Sequence, residues 1–313
     1  MIRFIVRRAF AAVFTMIAVT IITFVLLAAT GNQAARLAGK NATAAQIHQI
    51  SVQYGLNKPI YIQYVKTMKN IFTGKAYSYT QNINVLDEVR HDLPATLSLA
   101  FGAGIIWLAL SVLIGTLAAV YAGRGVDRFL TILSMAGVSF PPFFLGAIFL
   151  YFLGYKLNWF PLGGYVKLQS NPWQWFKHLV LPWATLSILF IGFYSRVLRA
   201  TILDNTNEDY VRTAHAKGLS DGQVLRRHTL RNSMIPIISL WGLDMGQLLG
   251  GGAILTESVF NLQGVGQLAA TAIANLDVIT IMVIVILTAF AVVLLSAVVD
   301  VLYAVLDPRI RLG

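Results

Sequence analysis

Hydrophobic residues along this chain of 313 fall into long blocks, with most polar residues swept into the segments between them. A helix needs about 20 mostly apolar residues to cross a hydrocarbon core of about 30 Å. Six blocks reach that length: Ala9 to Ala29, Ala95 to Tyr121, Phe129 to Leu153, Leu179 to Val197, Met234 to Leu255 and Val278 to Ala304. The pattern predicts an all-α polytopic membrane protein with six transmembrane helices. It divides the chain into 1–29, an N-terminal segment with the first helix; 30–94, a polar external subdomain; 95–304, a five-helix core interrupted by a charged loop at 204–232; and 305–313, a C-terminal tail.

Composition agrees, with 57% hydrophobic residues, 12% charged and a mean hydropathy of +0.69. A net charge of +11 would suit nucleic acid, but its placement speaks of topology. Basic residues concentrate beside the spans at Arg3, Arg7, Arg8, Arg124, Arg128, Arg196, Arg199, Arg212, Lys217, Arg226, Arg227, Arg231, Arg309 and Arg311. Because arginine and lysine flanking short loops mark the inner side, both termini are expected in the cytoplasm. The apolar run after "MIRFIVRRAF" exceeds the ~7–15 residues of a cleaved signal, so it is expected to remain as the first helix. The absence of cysteine removes disulfides, thiolate metal sites and thiol catalysis.

Within 30–94, a Gly-Leu-Asn-Lys-Pro break precedes an amphipathic run with Ile60, Tyr64, Val65, Met68 and Ile71 at helical spacing. This subdomain is expected to cap the outer helix ends, to offer a docking surface, or both. Trp159, Phe160, Tyr165, Trp173, Trp175 and Phe176 cluster at the proposed outer boundary. Amphipathic rings prefer the headgroup level, so an aromatic belt is expected, with ligand recognition as the alternative. On the fifth span Gly242, Gly246 and Gly250 recur every four residues before Gly251 and Gly252. Such a stripe lets a neighbouring backbone approach closely. Asp244 and Gln247 share a face of the same helix. An acid at this depth is tolerated where it faces protein or water, so Asp244 either lines a translocation pathway or bonds to another helix.

The block from Asp204 to Pro236 is polar, basic and wedged between two spans. Thr206 stands three residues before Asp209, which predicts a side-chain cap and a helix from about Asn207. Lys217 followed by Gly218 predicts its end, a cation in the last turn and a glycine able to turn left-handed. Ser220 and Gln223 form a capping-box pattern that opens a second helix running toward Pro236. Val211, Ala214 and Gly218 give the first helix a narrow small-residue face suited to a groove on another protein; Glu208, Arg212 and His215 give it a polar one. A DNA-reading helix-turn-helix needs a recognition helix free to enter the major groove, whereas this one is tethered by spans on both sides. Contact of Arg226, Arg227 and Arg231 with anionic lipid is compatible with protein docking.

The run "EDYVRTAHAKGLSDGQVLRRHTLRNSMIP" resembles the cytoplasmic EAA loop of ABC-transporter permeases, in the version of the dipeptide/oligopeptide family, B-type subunit. "YGLNKPIYIQY", "LPATLSLA", "LVLPWATLSI", "GGAILTESVF" and "LYAVLDPRIR" extend the resemblance, in order, over nearly the whole chain. It implies the type I importer fold. It also implies that Glu208, Asp209, Tyr210, Arg212, Thr213, Ala214, Ala216, Lys217 and Gly218 form a coupling helix seated on an ATPase subunit. The implied assembly has a second homologous permease subunit, two ATP-binding subunits carrying ATP and Mg, and an external substrate-binding lipoprotein delivering peptide, all at a bacterial plasma membrane. The chain departs from the family pattern in "AATGNQA" at Ala28 to Ala34, at Gln263 where a proline is expected, and at Asp244 where a neutral polar residue is more usual.

No enzyme signature accompanies these features. Gly39-Lys40 and Gly74-Lys75 lack the upstream glycine and following Ser or Thr of a phosphate-binding loop. There is no H-E-x-x-H motif, and His48, His91, His178, His215 and His228 are scattered, so neither a catalytic nor a metal site is expected. No cofactor is expected in this chain, and no nucleic acid partner. An ion-gradient-driven secondary transporter or channel is the rival class; it would usually place interrupted helices or ionisable relays near the bilayer centre, where Asp244 is the one clear acid.

Overall fold

The computed structural model describes residues 2–29, 31, 33–39 and 41–306. The expected tail lies outside the described residues from 307 onward, and the side-chain surroundings of Arg3, Arg7, Arg8, Gly250, Arg309 and Arg311 are not among those described. The described chain is helical: α1 (Ile2–Ala29), α2 (Gln33–Ala38), α3 (Ala44–Tyr54), α4 (Ile60–Phe72), α5 (Val85–Val120), α6 (Gly125–Ser139), α7 (Pro142–Phe149), α8 (Pro172–Thr206), α9 (Asp209–Ala216), α10 (Asp221–Val224), α11 (Leu230–Gln247), α12 (Ile254–Val259), α13 (Val265–Asn275) and α14 (Val278–Leu306). Helices are the economical way to carry backbone polar groups through lipid, because every N–H and C=O finds its partner within the segment.

Among the described residues four helices, within α1, α5, α8 and α14, are long and apolar enough to cross a membrane. The third expected span is not one straight helix. It breaks between Ser139 and Pro142, where α6 and the Pro142–Lys156 helix meet at 94°. Two adjacent prolines, Pro141 and Pro142, explain the break: neither can donate to a continuing helix, and each disfavours helical backbone in the residue before it. The place of the fifth span is taken by α11, which contains Pro236 and Asp244, extended by a π-helical turn over Leu248–Gly252.

The core forms where α5 and α8 cross. Leu99, Ala103, Trp107, Leu179, Trp183, Leu186, Tyr194 and Leu198 are buried there, joined by Ile237 and Met245 of α11. Small residues permit the approach, since a Cβ at Gly115 of α5 would lie 2.7 Å from the Ser195 carbonyl oxygen of α8. Indole N–H groups then close on carbonyls of α5: Trp183 Nε1 donates to Ser98 O and Trp241 Nε1 to Gly104 O, each at 2.9 Å. Bulky apolar side chains such as Phe14, Ile105, Phe129 and Ile132 project outward, as a lipid-facing surface requires.

A second core joins the 30–94 segment to the ends of α1 and α14, with Phe24, Ile71, Ala76, Val85, Val89, Val278, Ile279 and Met282 buried together. Tyr64 of α4 bonds to Thr20 of α1 at 2.9 Å and packs edge-on against Phe24. Only part of the expected amphipathic stripe is used, since Ile60 and Val65 stay exposed. The aromatic cluster also divides. Trp159, Trp173 and Phe176 are exposed, but Trp175 Nε1 and the Tyr165 hydroxyl both bond to Ser98 Oγ, at 3.1 and 3.0 Å, pinning the start of α5.

Candidate functional site

The charged block forms a helical hairpin at the end of the bundle opposite the 30–94 segment. α8 ends at Thr206, and α9 begins three residues later at Asp209, with Glu208 at its N-cap. This corrects the expected start near Asn207 under a Thr206 cap. Thr206 belongs to the last turn of α8, where its hydroxyl donates to Ile202 O at 2.7 Å. Glu208 makes no side-chain cap. Lys217 caps α9, and Gly218 turns with φ +81°. Gln223 Oε1 accepts from Ser220 N at 3.3 Å to open α10, and the chain continues through a π-helical turn, Leu225–Thr229, into α11.

The small-residue face of α9 points inward. Val211 and Ala214 are buried against Val224, with Tyr210 and Leu219 packed on them. The face expected to enter a partner's groove therefore holds the hairpin together, because the glycine turn folds α10 back onto it. What α9 offers outward is Glu208, Asp209, Arg212, Thr213, His215, Ala216 and Lys217, all exposed, followed by the exposed Gly218. Asp209 and Arg212 pair across one turn at 3.6 Å, and His215 Nδ1 lies 3.6 Å from Asp221 Oδ1 of α10. The result is a short amphipathic rod, polar outward, carried between two long helices.

Two contacts tie this rod to the bundle. Asn205 Nδ2 donates to Ser233 Oγ at 2.8 Å, closing the base of the hairpin between α8 and α11. Arg199 of α8 grips Asp127 of α6 with two charge-assisted bonds, Nε to Oδ1 at 2.6 Å and Nη2 to Oδ2 at 2.7 Å, while Gly123 N donates to Asp127 Oδ2 at 2.8 Å. This fork geometry is the strong form of an ion pair. The sequence reading missed the pair, since the residues lie 72 positions apart and each looks like an ordinary flanking charge.

Deeper in the bundle, Asp244 is partly exposed and Gln247 exposed on α11, beside exposed Leu243. The Tyr194 hydroxyl of α8 donates to Asp244 Oδ2 at 2.5 Å, so the interhelical bond exists. Gly242 and Gly246 are buried on α11, and a Cβ at Gly246 would lie 3.3 Å from Val292 Cα of α14. Gly250 belongs to the π-helical turn, whose wider spacing breaks the four-residue stripe, and Gly251 kinks that turn with φ +112°.

Beyond α11 the chain folds back through α12, where Glu257 is fully buried. Its Oε1 accepts from Thr96 Oγ1 at 2.7 Å and its Oε2 from Gln267 N at 2.9 Å, while Thr96 Oγ1 accepts from Val265 N at 2.9 Å. One carboxylate thus fastens the start of α13 to α5, and burial raises its pKa above the usual carboxylate value. In the intervening loop Gln263 has φ +51°, a conformation closed to proline. The residue that departs from the family pattern is one this loop can use.

Residues 111–312 match the family described as the binding-protein-dependent transport system inner membrane component, and residues 1–100 match its N-terminal companion. The chain is 37% identical over 310 residues to a probable peptide ABC transporter permease of Sinorhizobium fredii, covering 98% of this chain and 99% of the relative. It is 35% identical to a probable D,D-dipeptide transport system permease of Escherichia coli K12, covering 98% and 97%. It is 32% identical to an oligopeptide transport system permease of Bacillus subtilis 168, covering 98% and 99%. Its fold is similar to an inward-facing structure of the MetNI methionine ABC transporter, with TM-score 0.54 and 15% identity over 71% of this chain and 97% of that one.

Proposed function

The chain belongs to the binding-protein-dependent transport system inner membrane component family, and from that premise we propose that it is the permease subunit of an ATP-driven peptide importer. It forms half of the translocation pathway, beside a second homologous permease, above two ATP-binding subunits and below an external substrate-binding protein. Both termini and the α8–α11 hairpin face the cytoplasm of a bacterial cell. The observation that carries this reading is the exposed polar face of α9, held between two long helices by its own small core.

The mechanism follows from how that rod is mounted. ATP-driven closure of the two ATPases would press on Asp209, Arg212, Thr213, Ala216 and Lys217. Since the Val211–Ala214–Val224 core and the Asn205–Ser233 bond give the hairpin little room to bend, the push passes into α8 and α11 together. The Arg199–Asp127 clamp passes it on to α6. The helices then tilt as a group, and the pathway opens toward the outside, where the binding protein releases its cargo.

The test is reconstitution of the complete complex in proteoliposomes with the binding protein present. Peptide uptake should need ATP, this subunit and the binding protein together. Uptake by this chain alone, down a proton gradient and without an ATPase, would overturn the reading.

A further inference from the structure

We propose that the Asp244 carboxylate is a transient binding site for a cationic group of the cargo, the free α-ammonium of a peptide, as it passes through the membrane. This rests on the reading of the chain as a peptide permease.

Asp244 is about 21 Å along α11 from Leu230, at 1.5 Å per residue, and the helix continues beyond it into the π-helical turn. An acid at this depth is costly unless it faces protein or water. Asp244 is only half accommodated. Tyr194 occupies Oδ2 at 2.5 Å, but Oδ1 accepts no hydrogen bond among the described residues, and no basic side chain among them pairs with the group. A residue serving packing alone would bury both oxygens or face a resident cation, as Asp127 does. Asp244 instead shares its open face with Leu243 and Gln247, which are both exposed.

The Tyr194 ring that presents this hydroxyl is itself fixed by aromatic packing. The Phe190 and Phe193 rings pack edge-on against the Tyr194 ring, with centroids 6.2 and 5.7 Å away, and Phe190 stacks on Trp107 at 4.3 Å. A hydroxyl fixing one carboxylate oxygen leaves the other to receive an N–H donor. A carboxylate with one free oxygen and no cation of its own fits an alkylammonium and repels a carboxylate of the cargo. A weak site suits a pathway, because the cargo must leave again.

Two measurements on the reconstituted complete transporter test this. The first compares initial uptake of trialanine and of N-acetyl-trialanine, each corrected for its affinity for the binding protein. Asp244→Asn keeps the shape and the Tyr194 bond, and it should lower uptake of the free amine about tenfold while leaving the acetylated cargo within about twofold. Equal losses for both, or no loss, would overturn the site. The second needs no delivery by the binding protein. The chain has no cysteine, so Gln247→Cys gives it one thiol, one turn from Asp244. Its labelling by a cationic methanethiosulfonate, relative to an anionic one, should fall about fivefold or more when Asp244→Asn is added. An unchanged ratio, or a thiol that no water-soluble reagent reaches, refutes the proposal. If instead the ratio falls but no peptide is imported with ATP, the peptide reading fails and the cation site stands.

Discussion

Gly218 closes α9 with φ +81° and has open space where a Cβ would stand, so any penalty for replacing it is conformational rather than steric. Valine resists that backbone region, at about 1–2 kcal/mol, whereas asparagine visits it readily. Gly218→Val should therefore uncouple ATP hydrolysis from uptake and Gly218→Asn should retain coupling, as measured by the ratio of peptide moved to ATP consumed. Glu257 makes a different prediction. Its folded pKa is raised by burial above 4.5, so the native state holds this proton to higher pH than the unfolded chain does. The contribution is fully present below the unfolded value and is lost as pH rises through the folded one. Thermal midpoints of the purified complex should thus decline as pH rises from about 4.5, and Glu257→Gln should flatten that decline.

Among the elements, α8 does the most connecting: it crosses α5, clamps α6 through Arg199 and carries the hairpin from its last turn. Breaking a buried ion pair on one side strands the remaining charge, typically at about 3–5 kcal/mol, while replacing both partners with apolar residues is far milder. Asp127→Leu should accordingly destabilise the subunit by about 3 kcal/mol, less than the upper figure because Arg199 keeps some exposure. The double variant Asp127→Leu/Arg199→Met should recover most of the loss in detergent unfolding, yet still transport poorly if the clamp relays motion from the hairpin. Recovery of stability together with full transport would assign the pair to packing. The sequence announced α9 and its glycine turn through local chemistry, but it misdirected the small-residue face. A stripe of Val211 and Ala214 reads equally well as a surface for a partner or for the chain's own return, and only the fold-back of α10 decided between them.

Across the whole molecule, the 30–94 segment is fastened to the bundle by Asp277, at the start of α14. Its Oδ2 accepts from Ser78, Thr80 and Thr280, those to Thr80 and Thr280 at 3.1 and 2.8 Å. Leaving such buried donors unpaired costs about 1–3 kcal/mol apiece. Asp277→Ala should loosen this end selectively, seen as faster proteolytic cleavage within residues 73–84 while the α8–α11 hairpin remains protected. Uniform cleavage of both ends would show the two cores to be a single cooperative unit. With the cap at one end and the hairpin at the other, the half-satisfied carboxylate of Asp244 lies on α11 between the two ends.

The membrane class, the places of the long apolar helices and the polar hairpin with its glycine turn were all legible in the sequence. They depend on periodicity, block length and local backbone preference, which act over a few residues. The 94° break at Pro141 and Pro142 was legible in principle from the same local rules, although a composition window smooths over it. What tertiary structure alone decided was pairing: Arg199 with Asp127, Tyr194 with Asp244, Glu257 with Thr96, and the inward turn of Val211 and Ala214. Such contacts join residues far apart in the chain. A charge or hydroxyl carries no mark of its partner until the helices pack and leave it one neighbour to bond.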